Sequence, residues 1–162
     1  MKKYLIVSDS HGHNATMREV IKKVSPIDGL FHCGDMSMSA SDLREMAGCQ
    51  VWCVKGNNDY FEPGLEKNTT AQIGTHKVAL AHGHQYGVYS GVDRLVYWAK
   101  EEGADVVMYG HTHVPELVEV YGITVINPGS ISLPRQYGHK CTFAIMELDD
   151  NGELHFTIKE LD

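Results

Sequence analysis

The chain has 162 residues, 43% of them hydrophobic and 22% charged. That is enough for one domain over residues 1–162 with one sizeable core, and it is the composition of a globular chain rather than a disordered one. A formal net charge of -7, with no stretch in which aromatic residues interleave with Lys or Arg, excludes an extended nucleic-acid surface. No apolar run approaches the roughly 20 residues of a membrane span.

The predicted elements alternate at first. Tyr4 to Val7 is a short apolar run that stops at Ser8-Asp9-Ser10-His11. It reads as a buried strand and is too short for the apolar region of a signal peptide, so a cytoplasmic location is expected. Met17, Val20, Ile21 and Val24 then recur at helical spacing, predicting a helix from about Ala15 to Lys23 with Asn14 as its N-cap. A second strand, Gly29 to Cys33, leads to Asp35. A short helix, Ser41 to Ala47, follows, and a third strand, Val51 to Val54, ends at Gly56-Asn57.

Beyond that point hairpins take over. Ala71–Ile73 and Lys77–Ala81 flank Gly74-Thr75-His76. Val92, Leu95, Val96 and Ala99 mark a helix ending near Gly103, and Asp105 to Tyr109 is a strand leading into Gly110-His111. Leu117–Val120 and Ile123–Ile126 flank Tyr121-Gly122. Thr142–Leu148 and Leu154–Ile158 flank Asp149-Asp150-Asn151-Gly152, whose Asn-Gly pair is a strong turn signal. A β-α-β-α-β first half and a hairpin-rich second half fit two sheets packed face to face with helices outside.

One regularity dominates the polar residues. Each cluster rich in Asp, Asn or His stands where a predicted strand ends: Asp9-Ser10-His11, Gly34-Asp35, Gly56-Asn57-Asn58-Asp59, His82-Gly83-His84 and Gly110-His111-Thr112-His113. Ligands of open α/β sheets bind beyond the carboxyl ends of the strands, so five such ends point to one shared site. Asp-x-His and His-x-His put two ligands on one side of an extended segment. Carboxylates mixed with imidazoles suit manganese, iron or zinc, whereas magnesium favours more oxygen. The glycines before Asp35, Asn57 and His111 allow sharp turns and close backbone approach to the ions. Taken singly, His32, His76, His84 and His139 read as surface or hydrogen-bonded histidines. The four cysteines, Cys33, Cys49, Cys53 and Cys141, have neither zinc-knuckle nor redox spacing and are expected as reduced, mostly buried thiols.

The order of these motifs resembles the calcineurin-like metallophosphoesterase superfamily, from Asp9 to Asn127-Pro128-Gly129-Ser130, and the length resembles its small bacterial and archaeal phosphodiesterases. The resemblance implies a four-layer α-β-β-α sandwich of two mixed sheets with the site at the sheet edge. It implies two divalent metal ions, manganese first, with nickel, iron or zinc as alternatives. Asp9, His11 and His113 would hold one ion, Asn57, His82 and His111 the other, and Asp35 would bridge them. A water shared by the ions would become the attacking hydroxide. Many members carry His where this chain has Asn58, and that histidine can protonate the leaving group. An amide cannot, which turns the expectation from monoesters toward a small phosphodiester substrate. Asp59 is expected to orient the loop or a ligand rather than to act directly.

Two segments stay open. Asn127–Ser130 either contacts phosphate, braces the histidines or forms a structural turn. Arg135 is either a phosphate donor or a solvated side chain. The alternatives to a phosphodiesterase are a protein-binding scaffold of the same fold, which predicts missing ligands, and a phosphomonoesterase or nuclease on the same site. Exposed hairpin edges allow a homo-oligomer.

Overall fold

The computed structural model describes residues 1–60, 62 and 64–162. In chain order the elements are β1 (Lys2–Val7), α1 (Asn14–Val24), β2 (Gly29–His32), α2 (Ala40–Ala47), β3 (Gln50–Cys53), β4 (Asn68–Ile73), β5 (His76–Ala81), α3 (Asp93–Glu101), β6 (Val106–Met108), β7 (Glu116–Val120), β8 (Ile123–Asn127), β9 (Thr142–Leu148) and β10 (Leu154–Glu160). Two single-turn 3-10 segments, His84–Tyr86 and Val88–Ser90, lie between β5 and α3.

The strands form two five-stranded sheets, ordered β10-β9-β1-β2-β3 and β4-β5-β6-β8-β7. Each holds a parallel trio, β1-β2-β3 in one and β5-β6-β8 in the other, extended by antiparallel strands. The trios are in step. Val7 pairs with His32 and His32 with Cys53, while Leu80 pairs with Met108 and Met108 with Ile126. Three carboxyl ends therefore finish level in each sheet, and every expected metal ligand follows one of them.

Alternation along each central strand creates three cores. Ile6, Phe31, Val78, Leu80, Val106, Met108, Ile126, Ala144 and Met146 face the seam between the sheets. Leu5, Val7, Leu30, Phe143 and Ile145 face the other way, onto Met17, Val20 and Ile21 of α1 and Leu43 of α2. Ala79, Ala81, Val107 and Val125 meet Leu95, Val96 and Ala99 of α3. The result is the four-layer α-β-β-α sandwich. Strands covered on both faces explain why the sequence reads as continuous apolar runs.

Some local expectations fail. Asn14 is the first residue of α1 rather than its cap; His13 holds the cap position and no side chain caps the helix. The preceding chain turns tightly through Gly12, at φ 78°, which starts the helix one residue early. α2 begins at Ala40 because Ser39 caps it, accepting from the Asp42 amide. Of the four free cysteines only Cys33 is buried; Cys49, Cys53 and Cys141 are half-buried. No described helix is long and apolar enough to cross a membrane.

Candidate metal centre

The loops after β1, β2, β3, β5 and β6 meet at one edge of the sandwich. Their backbones are unusual. Asp9, His11, Asp35, His111 and His113 have φ of 53°, 46°, 57°, 72° and 62°. This left-handed region costs a residue with a Cβ roughly 1–2 kcal/mol, and it persists only where the surroundings over-determine it. Here backbone bonds between loops do so: Asp9 N–H to Gly34 C=O at 3.0 Å, His11 N–H to Asp35 C=O at 2.9 Å, and Gly110 N–H to His82 C=O at 2.9 Å.

Glycine makes that proximity possible. A methyl group on Gly110 would overlap the Ser8 hydroxyl and the Asp9 carboxylate, and one on Gly56 would overlap Asp35. The close approach expected toward ions is, in the first place, an approach of loop to loop.

The structure brings all seven expected ligands into one cluster. His113 Nε2 lies 3.2 Å from Asp9 Oδ1 and 3.4 Å from His11 Nε2. His11 Nε2 is 3.8 Å from Asp35 Oδ2, and His82 Nε2 is 3.4 Å from that same oxygen. His82 Nε2 is 3.2 Å from His111 Nδ1, which is 3.1 Å from Asn57 Oδ1. Asp35 Oδ2 thus stands between the two sets, and Asp9 Oδ1 also reaches within 3.8 Å of His82.

Donors at these spacings fit a cation. Ligand atoms held about 2.0–2.2 Å from an ion lie roughly 3–3.5 Å from each other. The ring orientations agree. His82 Nδ1–H donates to Cys33 C=O at 2.7 Å and His113 Nδ1–H to Leu133 C=O at 2.6 Å, so each ring turns its Nε2 inward. Asp9 is fully buried, and its Oδ1 has no hydrogen-bond partner among the described residues. A buried carboxylate oxygen without a hydrogen bond is costly unless a positive charge offsets it.

The electrostatics prepare the donors. Burial works to raise the Asp9 pKa, but His113 and His82 beside the carboxylate, together with the Ser8 hydroxyl that donates to Oδ2, outweigh it and hold the group low. Burial is overcome likewise at Asp35 by His82 and by Asn58, which keep its carboxyl well below the ordinary range. His111 is pushed down to about 4 by burial and by His82, and burial lowers His11. Both carboxylates are therefore charged, and both of these imidazoles neutral, at neutral pH.

Supporting residues hold the donors in place. Asp59, 1% exposed, accepts four backbone amides, those of Asp35 (2.7 Å), Gly56 (2.9 Å), Met36 (3.1 Å) and Ser37 (3.0 Å), tying the loops after β2 and β3 together. Asn58 donates its backbone N–H to Asp35 Oδ1 at 2.8 Å and its side-chain amide to Asp35 Oδ2 at 2.9 Å. In the open segment Asn127–Ser130, the Asn127 amide donates to Gly110 C=O and Thr112 Oγ1, while the buried Ser130 hydroxyl donates to Asp9 C=O. That segment is a brace for the histidine loop, and the Ser130 hydroxyl is committed to the Asp9 carbonyl.

Several residues lay beyond sequence reasoning. Ser132 donates to the carbonyls of Asp9 and Ser10, and Ser8 to Asp9 Oδ2. Tyr89 stands edge-on to the His111 ring, with centroids 4.7 Å apart. Arg135 donates to its hydroxyl at 2.6 Å. Nothing in the sequence around Tyr89 signals this beyond its flanking glycines. His32 lies beneath the site, bound to Ser10 Oγ and to the Gly34 amide, and burial pushes its pKa down to about 4. The half-buried His84 places its ring centroid 5.4 Å from that of His82. His76 and His139 bond elsewhere, to Asp105 and to the Pro134 carbonyl.

Known proteins share this sequence and this fold. The profile of the calcineurin-like phosphoesterase superfamily domain matches residues 2–151. The probable metallophosphoesterase YsnB of Bacillus subtilis is 34% identical over 148 residues, covering 91% of this chain and 85% of its own. Phosphodiesterase MJ0936 of Methanocaldococcus jannaschii is 30% identical over 140 residues, covering 76% of this chain and 81% of its own. The crystal structure of a predicted phosphoesterase from Streptococcus pneumoniae superposes with a TM-score of 0.81 at 31% identity, over 99% of this chain and 98% of the other. By sequence and by fold, the chain belongs to the calcineurin-like phosphoesterase superfamily.

Proposed function

We propose that the chain is a phosphodiesterase that works with two divalent cations, manganese foremost. The observation that carries the reading is the buried, unpartnered Asp9 Oδ1 amid inward-facing imidazole nitrogens, with Asp35 Oδ2 set between the two donor groups. Asp9, His11 and His113 would hold one ion, Asn57, His82 and His111 the other, and Asp35 would touch both. Bound there, the cations supply Lewis-acid charge for the phosphate oxygens and lower the pKa of an attacking water.

The protein's own part is preorganisation. The depressed carboxylates keep two negative charges at the site across neutral pH, and the lowered His111 and His11 keep their lone pairs free. Asp59 freezes the loop that carries Asp35 by holding its amides. At position 58, where many superfamily members carry a histidine able to protonate a departing alkoxide, this chain has an amide that donates to Asp35. An amide has no proton to give at neutral pH, so diesters with good leaving groups are favoured over monoesters with poor ones. The name of the archaeal relative, a phosphodiesterase, supports that side of the choice.

Hydrolysis of bis(p-nitrophenyl) phosphate with and without added metal tests the reading. Absence of turnover with each of manganese, nickel, iron and zinc overturns it. Asp35→Ala is expected to release both ions together, and loss of one alone would refute the shared carboxylate.

A further inference from the structure

Tyr89 and Arg135 are unexplained by the chemistry above. Tyr89 sits on the Val88–Ser90 turn between Gly87 and Gly91, both at positive φ. Its ring is 63% exposed, yet it is fixed. Its hydroxyl donates to the His111 carbonyl at 3.2 Å and accepts from Arg135 Nη1 at 2.6 Å. Arg135 is anchored in turn, its backbone N–H donating to the His113 carbonyl at 3.1 Å. Both side chains thus hang from the loop that carries two metal-ligand histidines. Tyr89 also borders a cleft of about 350 Å³ with walls of Val88, Val92, Val114 and Pro115 on one hand and Thr112 and Glu116 on the other. An exposed aromatic ring held rigid beside a partly apolar cleft is preorganised to stack. The exposed guanidinium beside it spends one of its five N–H donors on Tyr89.

We propose that Tyr89 and Arg135 bind the substrate's second arm. An aromatic ester group, aryl or nucleoside, stacks on Tyr89 in the cleft, and Arg135 pairs with a phosphate oxygen while holding the ring in position. The inference rests on the phosphodiesterase reading and narrows its substrate class to diesters with a planar arm. Purely alkyl diesters would lack the stacking contact.

The test measures competitive inhibition of bis(p-nitrophenyl) phosphate hydrolysis by phenyl phosphate, methyl phosphate and thymidine 5′-monophosphate. Calorimetric titration of the manganese-loaded protein with the same three compounds gives a readout free of turnover. Wild type is expected to bind phenyl phosphate about tenfold more tightly than methyl phosphate. Tyr89→Ala should abolish that preference with metal content unchanged, and Tyr89→Phe should keep it within about threefold, because the ring does the stacking. Arg135→Ala should weaken both phenyl and methyl phosphate through the shared phosphate, and phenyl phosphate the more, because the Tyr89 ring loses its anchor. Tighter binding of thymidine 5′-monophosphate than phenyl phosphate identifies a nucleoside arm, and the reverse identifies a simple aryl arm; both support stacking. Absence of a phenyl preference in a wild type that hydrolyses diesters overturns the proposal alone. So does a loss in Tyr89→Phe equal to that in Tyr89→Ala, or metal release by Tyr89→Ala. Selective phenyl phosphate binding by a wild type that hydrolyses no diester overturns the hydrolase reading and leaves the stacking contact standing.

Discussion

Among the described residues, three groups of histidine and carboxylate each have donor atoms within 4.8 Å of one another; two share Asp9, so they fall in two regions, only one of which has the makings of a metal site. The first joins Asp9, His11, Asp35, His82 and His113 at the carboxyl edge of the sheets. The second, Asp149, Glu153 and His155, lies in and beside the β9–β10 turn. In the turn the needs of Asp149 are met. Its Oδ1 accepts the amides of Asn151 and Glu153 at 2.8 and 3.0 Å, and its Oδ2 pairs with His155 Nε2 at 2.6 Å. His155 is exposed, and the hydrogen bond lowers the Asp149 pKa and raises that of His155. This is a turn closed by its own aspartate. At the edge, Asp9 is buried and one of its oxygens has no donor among the described residues. Density of donors does not distinguish the two regions. The distinguishing feature is a buried acceptor that the chain does not itself satisfy.

The widest gap between the regions should appear on removing one carboxylate from each. Asp9→Asn is expected to cost several kcal/mol of charge stabilisation, about a thousandfold or more in diester hydrolysis, with loss of bound metal. Asp149→Asn should leave both within about twofold, as a surface change does. Elemental analysis and initial rates decide, and metal loss in Asp149→Asn would erase the distinction. Next in size is Asp59→Asn, which keeps the shape but weakens the clamp on four amides. Metal affinity, measured by competition with a chelating dye, should fall about 10- to 100-fold.

A pair of glycines separates packing from backbone strain. Gly110→Ala forces a methyl into Ser8 and Asp9 and should cost about 1–3 kcal/mol or more in urea unfolding, along with metal retention. Gly152→Ala, in the β9–β10 turn, meets nothing within 4 Å but sits at φ 83°. It should cost only about 1–2 kcal/mol from the left-handed backbone and leave metal untouched. An equal loss of metal in both would sink the comparison.

The smallest effect concerns His76. It binds Asp105 Oδ2 at 2.5 Å and the Gly152 carbonyl at 2.7 Å, and the bond to Asp105 raises its pKa above the ordinary imidazole value. A raised folded pKa contributes stability that is complete below the unfolded value of about 6.5 and disappears as pH climbs through the folded one. The gap in Tm between wild type and His76→Ala should therefore be largest near pH 6 and shrink toward pH 9. A gap that widens with pH would show that the imidazole acts uncharged.

Much of this is written locally in the chain. The apolar runs ending in Asp9, Asp35 and Asn57, and the hairpin turns at Tyr121-Gly122 and Asn151-Gly152, announce themselves because strand period and turn chemistry are short-range properties. Ladder extent is not. β4 begins at Asn68 because that residue pairs with Ala81, and β10 runs to Glu160 because it pairs with Thr142. The strand ends marked five polar clusters, the resemblance picked the seven expected ligands out of them, and the fold collects those seven. Their left-handed backbones could not be foreseen, since those depend on bonds such as His11 N–H to Asp35 C=O, which exist only once β1 and β2 lie side by side. Ser132 and Tyr89 escaped for the same reason. A serine and a tyrosine in loops acquire meaning only through partners far along the chain, at separations of 123 and 22 residues.

The seam between the sheets has a fastening at each end. Asp9, His11, Asp35 and Asn57 project from one sheet, and His82, His111 and His113 from the other, so a shared cation would behave as a cross-link between segments such as His11 and His113, 102 residues apart. At the far edge His76 of one sheet grips the Gly152 carbonyl of the other, 76 residues away. Metal concentration would govern how tightly one end stays shut, while acidity would act on both, because the metal ligands must be deprotonated to hold an ion and His76 must be protonated to keep its charge.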